Sequence, residues 1–170
     1  MNKKTESKFY IGIDNGVTGS IGIVGKELTY YEFMETPITF GQDYTKAKKN
    51  VSRVIVTALA EVIHTLKGYG LCVAVLERPM KNPARFDATC SAMRALEAEL
   101  TVLELYNVPY MFIDSKEWQK EMLPKGVVGT KELKKASLDI GKRLFPEINS
   151  KHPDRDGILI AEYARRKCIL

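Results

Sequence analysis

Apolar positions fall in short runs whose spacing changes along the chain. In residues 8–25, KFYIGIDNGVTGSIGIVG, two β-branched apolar runs (9–13 and 21–24) flank Asn15, Gly16 and Gly19. Turn residues between two such runs predict a β-hairpin. Residues 28–34, LTYYEFM, read as a third antiparallel strand after a turn at Gly25 and Lys26. Residues 36–50 are polar and mixed and read as a loop. From 51 to 66 the period lengthens: Val51, Val54, Ile55, Ala58, Leu59, Val62, Ile63 and Leu66 recur at helical spacing. Gly68 and Gly70 end that helix, and His64 reads as a surface residue on it. Residues 71–76, LCVAVL, are continuously apolar, which suits a strand buried on both faces. That strand ends at Glu77, and Arg78 and Pro79 stop it.

Residues 84–106, rich in Ala, Leu, Glu and Met, predict a long helix, and 108–113 another short strand. Ser115 is placed to cap a short helix reaching Met122. Pro124, Gly126 and Gly129 mark a loop before a helix from Thr130 to about Leu144, which stops ahead of Pro146. Residues 147–153 form a polar connector, and 154–167 the last helix. Three antiparallel strands followed by strand–helix crossovers predict an α/β fold. Its five-stranded mixed sheet, three antiparallel strands then two parallel, is flanked by helices. There is no internal repeat.

At 170 residues the chain suits a single domain with one sizeable core. Hydrophobic residues at 45% and charged residues at 28% exclude a disordered chain, and no apolar run approaches the roughly 20 residues of a membrane span. Residues 1–7 are expected to be a disordered lead-in, with no signal peptide. Cys72, Cys90 and Cys168 are widely spaced, without a CxxC pair, which argues against structural zinc and for a reducing, cytoplasmic setting. Cys72 reads as core.

The net charge of +5 and pI of about 9.0 say less than the distribution of charge. Lys116, Lys120, Lys125, Lys131, Lys134, Lys135, Lys142 and Arg143 crowd one segment, and Lys46, Lys48, Lys49 and Arg53 another. Each group fits a phosphate-binding surface or a solvated helix face equally well.

Three acids stand at structurally defined places. Asp14 follows the first strand, Glu77 terminates the buried strand, and Asp156 lies near the start of the last helix behind His152 and Asp154. Strand ends and a helix N-terminus converge at one sheet edge, where carboxylates can share divalent ions for phosphodiester hydrolysis. Each acid also has an ordinary use: Asp-Asn-Gly is turn chemistry, Glu77 can pair with Arg78, and Asp154 and Asp156 suit a helix N-terminus.

The segment FYIGIDNGVTGSIGIV resembles the opening hairpin of ribonuclease-H-like nucleases, and within them is most similar to RuvC-type Holliday junction resolvases, especially phage, viral and organellar relatives. VAVLERP resembles the strand carrying that family's second acid, RFDATCSAMRALEAEL its following long helix, and HPDRDGILIAEYARR its last helix. The resemblance covers roughly residues 9–166. It implies a metal-dependent endodeoxyribonuclease that resolves four-way DNA junctions by paired nicks, using two Mg²⁺ ions per site, with Mn²⁺ as a substitute. Asp14 would bind both ions, Glu77 one and Asp156 the other. The family's fourth ligand lies one helical turn before the last acid, where this chain has Pro153. Asp154 is the expected substitute and His152 the alternative, which would also serve as general acid or base.

The resemblance further implies a homodimer on branched DNA, seated on the long helix through Met93, Leu96, Leu100 and Leu103, unless that stripe is core. Met80 and Phe86 would wedge against unpaired bases. Lys81, Arg85, Lys116, Lys131, Lys134 and Lys135 would contact phosphates. No membrane and no nucleotide cofactor are expected: DNGVTGS also resembles the phosphate-binding hairpin of sugar kinases and actin-like proteins, but those need a second domain. A ribonuclease H on the same scaffold and a non-catalytic nucleic-acid-binding module are the alternatives.

Overall fold

A computed structural model describes residues 7–169. The expected lead-in lies outside the described residues except for Ser7, which opens the first strand. Strands β1 (Ser7–Asp14), β2 (Ser20–Gly25) and β3 (Tyr31–Glu35) run antiparallel, as the hairpin pattern requires. Strand β3 starts later than its apolar run, because Leu28 takes a left-handed backbone (φ 57°) inside the turn that pairs Gly25 with Tyr30.

Two more strands, β4 (Ile38–Gln42) and β5 (Asn50–Val54), form a separate antiparallel ribbon. This corrects the expected loop and trims the expected helix, which is α1 (Val56–Tyr69). Val51, Val54 and Ile55 satisfied helical spacing, but they are β-branched, and such side chains sit better on a pleated strand. Only Val54 of the ribbon is fully buried, so no period-two signal marks it.

Strand β6 (Gly70–Glu77) lies parallel to β1, and β7 (Tyr110–Ile113) parallel to β6, giving the order β3-β2-β1-β6-β7. Between them runs α2 (Phe86–Leu105), entered through a 3-10 turn at Pro83–Arg85. Helices α3 (Ser115–Met122), α4 (Thr130–Leu144) and α5 (Asp156–Arg166) complete the chain. The mixed five-stranded sheet expected from the sequence is therefore present.

Alternation divides the core into two layers. Phe9, Ile11, Ile13, Ile21, Ile23 and Ala74 face α1 and α2, while Tyr10, Val24 and Val75 face α3, α4 and α5. Cys72 is core, as expected. Leu96 and Leu103 of α2 are buried in the first layer, Leu100 packs against it, and Met93 is partly exposed. The stripe expected as a dimer seat is thus mostly intramolecular core. Among the described residues, no helix is long and apolar enough to cross a membrane.

Candidate metal centre

Strand parity decides which acids meet. Tyr10 and Gly12 of β1 face α5, so Asp14, the next residue of that parity, falls on the same side. Val75 of β6 also faces α5, and Glu77 follows two residues later. Ile13 pairs with Leu76, so Asp14 and Glu77 end adjacent parallel strands abreast, about 4.8 Å apart in the backbone. Helix α5 begins over them with Asp156.

Its low seat comes from missing side chains. A Cβ on Gly12 would overlap the backbone of Ala161 and Gly157, and one on Gly22 the backbone of Ile158. The helix therefore rests on the sheet backbone to backbone, and the Gly157 N–H donates to the Ser20 hydroxyl at 3.1 Å.

One carboxylate oxygen from each of Asp14, Asp154 and Asp156 lies within 4.8 Å of the other two. Burial raises the Asp14 carboxyl well above the usual carboxylate range; the charges of Asp156, Glu77 and Asp154 push the same way, and Lys134 opposes them. Asp156 is pushed up to about 7, first by burial and then by Asp154, despite a hydrogen bond from Ser137. Hard oxygen donors held together at this electrostatic cost fit a small divalent cation, which would relieve the repulsion.

Glu77 stands beside this trio with both oxygens engaged. The Ser115 hydroxyl donates to Oε1 at 2.5 Å and the Trp118 indole N–H to Oε2 at 2.6 Å. Ser115 therefore holds the acid instead of capping its helix, for which no side-chain cap forms at Asp114. Arg78 turns away to Asp114 at 3.1 Å, so it is not the partner of Glu77.

Asp154 is fully buried. Its Oδ2 accepts from the Lys134 ammonium at 2.9 Å, and its Oδ1 faces His152 Nδ1 at 3.2 Å and the Asp156 N–H at 3.3 Å. His152 Nε2 meets the Thr18 carbonyl at 3.2 Å, and its ring lies edge-on to Phe33. Both ring nitrogens thus face acceptors, and His152 lies outside the aspartate trio.

Sequence reasoning missed three supports. Arg155, buried in the connector, donates to the carbonyls of Ser150, His152 and Asp154 and stacks over Phe33 at 4.8 Å. Ser137 accepts from the Arg155 N–H at 3.1 Å, and Trp118 orients Glu77. Only the single tryptophan, in a helix whose one other apolar residue is Met122, was a readable signal.

Of the expected DNA contacts, Met80, on the segment after β6, and Phe86, the first residue of α2, are 80% and 71% exposed. A cleft of about 280 Å³, lined by Asn15, Glu77, Met80, Asn82 and Arg85 among others, opens beside them. Lys81, Arg85, Lys116, Lys131 and Lys135 are exposed, whereas Lys134 is tied to Asp154. A larger cavity, about 790 Å³ beside Lys8, Lys26 and Tyr30, lies at the far end of β1, away from the carboxylates.

No protein-family model and no curated protein matches the sequence. Solved structures do match the fold. The structure of T. thermophilus RuvC in complex with Holliday junction substrate superposes with a TM-score of 0.60 at 17% identity, covering 94% of this chain and 96% of that one. A second Thermus thermophilus RuvC structure gives 0.55 at 13% identity over the same shares. The chain has the ribonuclease-H-like fold of RuvC.

Proposed function

We propose that this chain, built on the RuvC fold, is a divalent-metal-dependent endonuclease that resolves four-way DNA junctions by paired nicks. The observation carrying this reading is the trio Asp14, Asp154 and Asp156 at the strand-end edge, with Glu77 abreast of Asp14. These four acids would hold the metal, two Mg²⁺ ions per site with Mn²⁺ as a substitute. When bound, such ions neutralise the scissile phosphate, activate water and stabilise the leaving oxygen.

The chain's own groups prepare that site. Ser115 and Trp118 fix the Glu77 carboxylate, so little reorganisation is needed on loading. Ser137 holds Asp156, and Lys134 and His152 fix the two oxygens of Asp154. Lys134 supplies positive charge to the cluster in the metal-free protein. His152 is a positioning residue in this reading, not a ligand.

Lys81, Arg85, Lys116, Lys131 and Lys135 would contact phosphates, with Met80 and Phe86 placed to meet unpaired bases. A homodimer would match the two-fold symmetry of a junction.

The test is cleavage of a synthetic four-way junction, a duplex, single-stranded DNA and an RNA–DNA hybrid, with Mg²⁺, with Mn²⁺ and with chelator, alongside Glu77→Gln. Paired metal-dependent nicks in the junction, reduced at least a hundredfold in the variant, are expected. Preferential cleavage of the hybrid would move the reading to ribonuclease H. Junction binding without cleavage of any substrate would leave a binding module.

A further inference from the structure

The β4–β5 ribbon has no part in the carboxylate site, yet it carries the second basic cluster of the chain. Its charged residues are Asp43 against Lys46, Lys48, Lys49 and Arg53. The structure removes the solvated-helix explanation, because these residues lie on a hairpin and its tip. The tip is ordered by its own hydrogen bonds. The Asp43 N–H donates to the Lys49 carbonyl at 2.8 Å, the Lys48 N–H to the Thr45 carbonyl at 3.0 Å, and the Thr45 hydroxyl to Asp43 Oδ1 at 2.7 Å.

Set on this tip, Tyr44 is 98% exposed, and Phe40 on the adjoining strand is 75% exposed. Among the described residues, the side chains of Tyr44, Lys46 and Lys48 make no hydrogen bond, ion pair or ring contact. Aromatic rings with no packing role, interleaved with cations, suit a polyanion that also offers flat faces.

Position fits the same occupant. The ribbon packs on α2, and a groove of about 610 Å³ between them is lined by Thr45, Lys49, Ser52, Ala88, Ser91 and Arg94 among others. Ala88 also lines the cleft beside Glu77. The groove against the ribbon and the cleft beside Glu77 thus meet at the first turn of α2.

We propose that the β4–β5 ribbon is a second DNA-contacting element, in which Tyr44 stacks on an unpaired base while Lys46, Lys48 and Lys49 hold the adjacent phosphates of a strand passing the N-terminus of α2. This rests on the nuclease reading above and adds a contact that reading does not include.

The experiment measures equilibrium binding of labelled four-way junction, single strand and duplex across a salt series, in chelator so that nothing is cut. It compares wild type, Tyr44→Ala, and the triple variant Lys46→Ala, Lys48→Asn, Lys49→Ala. Asparagine is chosen at 48 because the backbone there is left-handed (φ 47°), which asparagine tolerates. The triple variant is expected to lower the salt slope on the junction by about 2–3, near 0.9 per lost phosphate contact. Tyr44→Ala is expected to weaken junction and single-strand binding about tenfold and to spare duplex. Wild-type affinity and slope in both variants overturn the ribbon proposal and leave the nuclease reading standing. A wild-type protein that binds none of the DNAs overturns both. Equal loss on duplex and single strand in Tyr44→Ala overturns the stacking role.

Discussion

Glu99 lies in α2 with both carboxylate oxygens buried and without a well-formed hydrogen bond; the Gly16 backbone offers them only a weak opposing influence. Burial pushes its carboxyl from 4.5 up to about 8. The sign is the reverse of a salt-bridged acid: the folded protein keeps a proton that the unfolded chain releases. The penalty is absent below about pH 4.5, grows as pH rises, and is complete above about 8. At about 1.4 kcal/mol per pKa unit it reaches roughly 4–5 kcal/mol. Glu99→Gln keeps the shape and removes the charge, although the buried amide still costs about 1–3 kcal/mol. The melting temperature of the variant relative to wild type, followed in chelator, should therefore rise by roughly 10 °C between pH 5 and pH 9, at about 2–4 °C per kcal/mol. A pH-independent difference would mean that Glu99 does not ionise in a buried site.

Helix α5 makes the metal centre possible by lying on glycine. Gly22→Ala forces a methyl into the Ile158 backbone, which cannot move like a flexible side chain. Overpacking of this kind costs about 1–3 kcal/mol, or roughly 2–12 °C in melting temperature. Because Asp156 is the first residue of α5, lifting the helix also displaces a carboxylate. Cleavage should fall further than stability does, and a stable variant of wild-type activity would separate the glycine contact from the site. The elements bearing the acids were legible because they carry strong periodicity: the hairpin, the LCVAVL strand and the long helices each bury a continuous face. The sequence placed Asp14 and Glu77 at strand ends, and the structure adds the parity that sets both on the α5 side of the sheet. The ribbon was not legible, since its only fully buried side chain, Val54, fits a helix period equally well. Nor was the connector before α5, where Arg155 gathers three carbonyls and thereby decides how Asp154 and His152 point. That arrangement depends on contacts between distant residues, Gly141 and Phe33 among them, which no local pattern encodes.

For the whole molecule, the carboxylate cluster couples fold, proton and metal. Asp14 and Asp156 both hold protons more tightly when folded than at their ordinary value of 3.8, and Asp156 does so up to about 7. Without metal, they cost no stability below about pH 4, and their cost grows as pH rises toward 7. A divalent ion binds the deprotonated carboxylates, so its stabilisation should grow over the same window. Thermal melts in chelator should therefore decline from pH 5 to pH 8, and saturating Mg²⁺ should remove the part due to the aspartates. The part due to Glu99 should persist with metal and vanish in Glu99→Gln, so the two sources separate in one variant. Lys134→Ala adds a third arm. Its ammonium lies 2.9 Å from Asp154 and offsets charge on Asp14 and Asp156. Removing it should lower the metal-free melting temperature by a few degrees and enlarge the increment produced by Mg²⁺. If Mg²⁺ at a hundred times any physiological level left every melt unchanged, the four acids would not be a metal site, and the charge gathered at this sheet edge would need a different partner.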